Sequence, residues 1–327
     1  MDYRKIKKIE LHRHLDGSVR FETIIDLAKQ KNIDLGVGLH RRAELFQKAK
    51  VLMPMSGLQE VLDSFWITQK VMCDEESIER IAFENVEDAF IDGIEMIELR
   101  FAPTFIREGK NLPYDLIIES VMNGVRRGMK KYPIKVGLIH IVPRALSLKE
   151  SEDATTEMLK FKAGSGNDLI VGFDLADGEE FDLIESFKPV LERARSAGLG
   201  VTVHSGENTT SEHVKKTIEF LGAQRIGHGI KVMDDPKVMA LALERGIHFE
   251  VCPTSNWLTH CVDNIENHPI KKMLDYGLSV SLNSDDPHIM NIDLTHEYEV
   301  AHRFLKMTEF DFIKMNDHAK NASFIKK

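Results

Sequence analysis

The chain has 327 residues, 43% of them apolar, and a formal net charge of −9. That balance excludes a nucleic-acid binder, which needs a basic footprint, and docking on an anionic membrane surface. The basic cluster Arg126-Arg127 with Lys130-Lys131 reads as the solvated end of a helix.

The N-terminal Met1-Asp2-Tyr3-Arg4-Lys5 lacks the apolar core of a signal peptide. No apolar run approaches the roughly 20 residues that span a bilayer. Cys73, Cys252 and Cys261 are scattered, with no C-x-x-C spacing, which fits reduced thiols in a cytoplasmic protein. Nothing in the sequence sets an oligomeric state.

In chain order, β-rich runs at 6–12, 94–101, 136–142, 169–175, 201–203, 225–226, 247–251 and 278–280 alternate with amphipathic segments. The latter include 75–91, 114–129, 211–221 and 236–243. Several helical stretches end in Gly just before a strand run: Gly93, Gly198, Gly222, Gly246 and Gly277. Gly accepts the left-handed conformation that closes a helix, so each marks a helix-to-strand junction. Eight strands alternating with helices predict an α/β fold, a (β/α)8 TIM barrel, with its site at the C-terminal strand ends. One domain over residues 1–327 is expected, since there is no low-complexity segment and no Pro/Gly/Ser linker.

Extra helices are inserted after the first strand, because about eighty residues separate it from the second. Residues 20–92 form this helical region, with predicted helices at 21–31 and 58–72. Leu58, Val61, Leu62 and Phe65 share one face of the latter. That face packs on the barrel, covers the mouth of the site as a lid, or does both.

Functional candidates fall at the strand ends. His12 and His14 follow the first strand, His204 the fifth, His228 the sixth and Asp285-Asp286 the eighth. Residues at i and i+2 on a strand share a face, so His12 and His14 can aim two imidazoles at one point. Imidazoles and carboxylates converging from several strand ends meet the needs of a catalytic divalent metal. Of the 14 histidines, His40, His213, His260, His268, His296, His302 and His318 are expected at the surface or satisfied in the core. His140 and His248, on strand runs, are read as structural or pocket-lining. His288 could lie near the mouth.

Five motifs then carry a resemblance: His12-x-His14-x-Asp16-Gly17-Ser18, His204-Ser205-Gly206-Glu207, Arg225-Ile226-Gly227-His228-Gly229, the run from Phe249 to Asn256, and Ser281-Leu282-Asn283-Ser284-Asp285-Asp286-Pro287. In that order they resemble the adenosine deaminases of the amidohydrolase superfamily. The resemblance implies one zinc ion per chain, held by His12, His14, His204 and Asp285. It implies hydrolytic deamination of adenosine, and of 2′-deoxyadenosine, to inosine and ammonia. Deamination of adenine or of another 6-amino purine nucleoside is the alternative. By the same resemblance His228 takes a proton from the nucleophilic water or orients it, Asp285 touches metal and water, and Glu207 protonates purine N1. That last task needs a raised pKa.

For the substrate, a small purine nucleoside, the resemblance implies contacts from His14, Asp16, Asp177, Gly178 and Asp286, with Leu58, Leu62 and Phe65 as apolar cover. Asp16 would accept the ribose 5′-hydroxyl and Asp286 would meet N7. Two stretches depart from the family pattern. Where the family reads Leu-Ala-Gly-Asp-Glu, this chain reads Leu175-Ala176-Asp177-Gly178-Glu179, which is either a harmless swap of turn residues or altered recognition near the sugar. After Cys252-Pro253, where an aromatic is common, stand Thr254-Ser255-Asn256-Trp257. Their effect is expected at the pocket rim.

Overall fold

A computed structural model describes residues 2–62, 64–179 and 184–326, the side chains of residues 59, 62 and 184 excepted. Eight parallel strands form one sheet in sequential order: β1 (Lys8–His14), β2 (Ile94–Phe101), β3 (Lys135–Pro143), β4 (Ile170–Ala176), β5 (Gly200–Ser205), β6 (Arg225–His228), β7 (His248–Val251) and β8 (Ser279–Leu282). Beyond β8 the sheet curls back on β1. His14 N donates to Asp285 O (2.9 Å), Asp285 N to His12 O (3.1 Å), and Leu11 N to the Asn283 side chain (2.8 Å). The expected barrel is therefore present, its sheet brought back onto β1 by the segment that follows β8.

The strand period of two sorts the residues into layers. Ile97, Leu99 and Phe101 on β2, Val201 and Val203 on β5, and Phe249 and Val251 on β7 are buried in the apolar core that includes the helix layer. The alternate positions point inward, and at mid-depth they are charged. Arg100 bridges Asp174 (2.8 Å) and Glu250 (2.6 Å), and Arg225 bridges Glu98 (2.6 Å) and Glu250 (2.7 Å), all fully or nearly fully buried. Buried charges of this kind hold only when paired and hydrogen-bonded. Below them Glu98 accepts from Ser323 Oγ (2.7 Å) and Phe324 N (2.6 Å), and the Arg225 guanidinium lies 3.7 Å from the Phe324 ring centre. Gly200 leaves room for that ring, since a Cβ there would come within 2.3 Å of it.

Several element boundaries differ from the sequence expectation. β1 extends two residues further, to His14, because its last residues pair with β2 and with Asp285. The segment expected as one helix over 58–72 divides into Leu58–Leu62 and Phe65–Val71, so its apolar residues do not share one continuous helical face. Ser64 N turns back to Val61 O (3.0 Å) at the break. Ser favours such turns over helix interiors. Helix Ser211–Lys216 likewise passes into a wider π turn over Thr217–Leu221. Among the described residues no helix is long and apolar enough to cross a membrane.

Candidate active site

At the C-terminal end of the barrel lies a cavity of about 640 Å³. Its floor is built by strand ends. His12 and His14 come from β1, His204 from β5, His228 from β6 and Asp285 from just beyond β8. The ligating atoms of His12, His14, His204 and Asp285 lie within 4.8 Å of one another. Asp285 Oδ1 is 3.2 Å from His12 Nε2 and 3.3 Å from His14 Nε2. Gly227 makes this convergence possible, since a Cβ there would stand 2.9 Å from the His12 ring.

The donor set fits a divalent metal. His12 donates through Nδ1 to Glu250 (2.8 Å), leaving a buried Nε2 that has no hydrogen-bond partner among the described residues. His204 directs Nδ1 at Asp174 (3.1 Å), which frees its Nε2 in the same way. A carboxylate behind each imidazole fixes the tautomer and raises ligand basicity. Burial pushes the His14 and His204 imidazoles down, so both offer neutral lone pairs. Although burial opposes it, His12 and His228 hold Asp285 well below the usual carboxylate range.

Two of these residues sit in strained backbone. His228 (φ 56°) and Asp285 (φ 61°) are left-handed, a conformation that costs a side-chain-bearing residue of order 1 kcal/mol or more. Parallel pairing with Arg13 holds Asp285 in it.

Above the floor, Glu207 lies with Oε2 3.6 Å from His228 Nε2. Burial first, then Asp285 and Glu179, pushes its carboxyl well above the ordinary range, which favours the protonated form. Its backbone is held by Glu179, which accepts from Gly206 N (2.7 Å) and Glu207 N (2.8 Å). Asp286 is raised in the same way by burial, Asp285 and Asp16, which favours its protonated form. Asp16 is buried and accepts from Gln69 Nε2 (3.1 Å).

Of the residues expected at the substrate, His14, Asp16, Leu58, Phe65, Asp177 and Asp286 line the cavity, and the Leu62 side chain lies outside the described residues. Gly178 does not line it; its N–H is taken by the Asp177 carboxylate (2.8 Å). Asp177 stands at φ 81°, a backbone position that suits the family's glycine, and its other oxygen accepts from Ala145 N (3.3 Å). Val61, Trp66, Gln69, Phe105 and Met290 also line the cavity. Val61 shares an apolar face with Leu58, which was the available signal for it.

His140 and His248 prove structural, bonded to Thr155 (3.4 Å) and to Ser279 and Ser281 (2.9 Å each), away from the cavity. His288 pairs with Asp88 (2.9 Å) at a separate surface cleft. Asp174, Glu179, Arg100 and Asn256 had no role in the sequence reading. Their alternation with apolar neighbours on strands was the only trace of the first and third.

A parallel eightfold barrel carrying three imidazoles and a carboxylate at its C-terminal mouth defines a hydrolase of the metal-dependent amidohydrolase type. The adenosine deaminase family model matches residues 7–327. An adenosine deaminase of Clostridium botulinum (strain Langeland) is 37% identical over 99% of this chain and 95% of its own length. One from Shewanella denitrificans is 35% identical over 98% and 95%. The chain belongs to the adenosine deaminase family. Among solved structures, an adenine deaminase from Arthrobacter aurescens superposes with a TM-score of 0.87 at 25% identity, covering 97% of this chain and 93% of that one. An amidohydrolase from Burkholderia ambifaria, solved with bound zinc, gives 0.85 at 23%, covering 99% and 87%, and shares the fold.

Proposed function

We propose that this protein deaminates adenosine, and 2′-deoxyadenosine, to inosine and ammonia, in a cytoplasmic setting, with one zinc ion held by His12, His14, His204 and Asp285. A divalent zinc in that cluster would lower the pKa of water towards about 7 and make hydroxide available at neutral pH. The residues of the chain supply the rest. Glu207 delivers its proton to purine N1 as charge builds on the ring during attack at C6. His228 and the free oxygen of Asp285, 3.7 Å apart, face the attacking water. Asp286 meets N7 and Asp16 the 5′-hydroxyl. Leu58, Val61 and Phe65, from the region 20–92, act as a lid that excludes bulk water. The proton of the hydroxyl added at C6 passes by way of the free oxygen of Asp285 to the amino nitrogen, the C6–N bond breaks, and ammonia leaves with the C6 oxygen as a carbonyl.

The observation that carries this reading is a buried Glu207 set beside an imidazole-rich cluster in one cavity. Charge argues the substrate class. Six carboxyl groups line the cavity (Asp16, Glu108, Asp177, Glu207, Asp285, Asp286), and among the described residues no lysine or arginine does. A 5′-phosphate finds no lysine or arginine among the described lining residues to pair with. A site built to bond a hydroxyl also rejects a substrate lacking it, because its own polar group is left unpaired. Adenosine should therefore exceed both AMP and adenine by at least about 10²-fold in kcat/KM. A coupled ammonia assay across the three decides it. Adenine turned over as fast as adenosine would replace this reading with the adenine deaminase alternative.

A further inference from the structure

A chain of hydrogen bonds with a fixed direction runs into the site from the segment that follows the seventh strand. It starts at Ile270, whose backbone N–H donates to His268 Nδ1 (3.2 Å). A backbone N–H can only donate, so that nitrogen carries the lone pair and the proton of the neutral ring sits on Nε2. Burial keeps His268 neutral, with its pKa pushed down to about 3. The Nε2 proton meets Asn256 Oδ1 (3.1 Å), and this settles which end of the amide is oxygen. The other end, Nδ2, stands 3.0 Å from His228 Nδ1 and 3.5 Å from Glu207 Oε1. An amide nitrogen also only donates. His228 Nδ1 is therefore an acceptor, and the proton of its neutral ring lies on Nε2, facing Glu207 (3.6 Å) and Asp285 (3.7 Å). Asn256 is fully buried, so solvent does not compete for either end.

We propose that Asn256, oriented by His268, is a positioning residue that locks His228 in the tautomer with its proton on Nε2. His228 then enters the reaction as a hydrogen-bond donor to the attacking oxygen, and it has no lone pair there to take that oxygen's proton. This rests on the reading of His228 as facing the water, and it chooses between the two roles its position allows.

The test is ¹⁵N NMR of the metal-loaded protein labelled at histidine, with the His228 signals assigned by their loss in His228→Gln. The expected wild-type pattern has a bare Nδ1 and a protonated Nε2. In Asn256→Asp the carboxylate accepts where the amide donated, so the pattern should invert. kcat should fall on the order of 10²-fold or more, as for other active-site histidines held in the wrong tautomer, with KM within about threefold. His268→Gln, whose amide N–H still donates to Asn256 Oδ1, should keep the wild-type pattern and kcat within a few-fold. This variant also serves if Asn256→Asp fails to fold. A wild-type His228 protonated on Nδ1, or a kcat loss in His268→Gln as large as in Asn256→Asp, would overturn the proposal. The NMR pattern is read without substrate, so it stands apart from whether adenosine is the substrate.

Discussion

Asp174→Asn changes a single charge beneath the metal-binding cluster and leaves the size of the side chain unaltered. In the native chain Oδ1 faces His204 Nδ1 at 3.1 Å and Oδ2 faces Arg100 Nη1 at 2.8 Å. His204 and Arg100 together outweigh burial and hold this carboxyl below the usual range, so it is charged at neutral pH. An amide has one oxygen for these two donors, and its NH2 must confront the other. Breaking one partner of a buried ion pair costs about 3–5 kcal/mol. Arg100 keeps Glu250 and the Leu11 carbonyl, which places the expected loss near the lower end. At about 2–4 °C per kcal/mol that is roughly 6–12 °C in Tm. His204 also loses the partner that fixes its free nitrogen towards the metal, and losing such a partner costs about 10–100-fold in metal affinity. Thermal unfolding of the loaded protein gives the first quantity, and chelator competition with metal analysis gives the second. A variant with wild-type Tm that holds metal as tightly as the parent would refute the claim that this carboxylate orients His204.

Glu207→Gln keeps shape and reach but removes the acid, so kcat should fall on the order of 10³-fold or more with metal content unchanged; near-normal turnover would remove Glu207 from the mechanism. His140, His248 and His268 are buried and neutral, each pushed down to about 3 by burial. Their unfolded value is about 6.5, so the unfolded chain binds more protons between those limits. Stability is therefore fully present above pH 6.5 and is lost as pH falls towards 3, by up to about 1.4 kcal/mol per pH unit for each. Denaturant titrations of His140→Gln from pH 7 to 5 should show a shallower fall than wild type, and equal slopes would count against the argument.

The barrel was legible because its two signals coincide. Period-two apolar runs gave the strands, the glycines gave the helix ends, and His12, His14, His204 and Asp285 marked the strand ends where a barrel keeps its site. Leu58–Met72 misled as one helix because apolar spacing carries across a break, and the turn at Ser64 leaves that spacing intact. The charges under the site were not legible. Asp174 and Glu250 look like ordinary polar alternation on a strand, and only the closed sheet shows that Arg100 meets both. Asn256 and His268 are likewise 12 residues apart with no shared period. Their partnership depends on how the loop after β7 folds back, which local propensity does not encode.

The seam between β1 and β8 also has a consequence for how the enzyme is made. His12 and His14 emerge from the ribosome early, whereas Asp285, which completes their cluster and closes the sheet through mutual backbone bonds, follows roughly 270 residues later. At about 5–20 residues per second that is an interval of about 15–55 s. Throughout it the His-x-His pair lacks its carboxylate partner, and two imidazoles alone do not set a metal's geometry. The carboxylate that completes this candidate metal cluster and the last strand pairing arrive together.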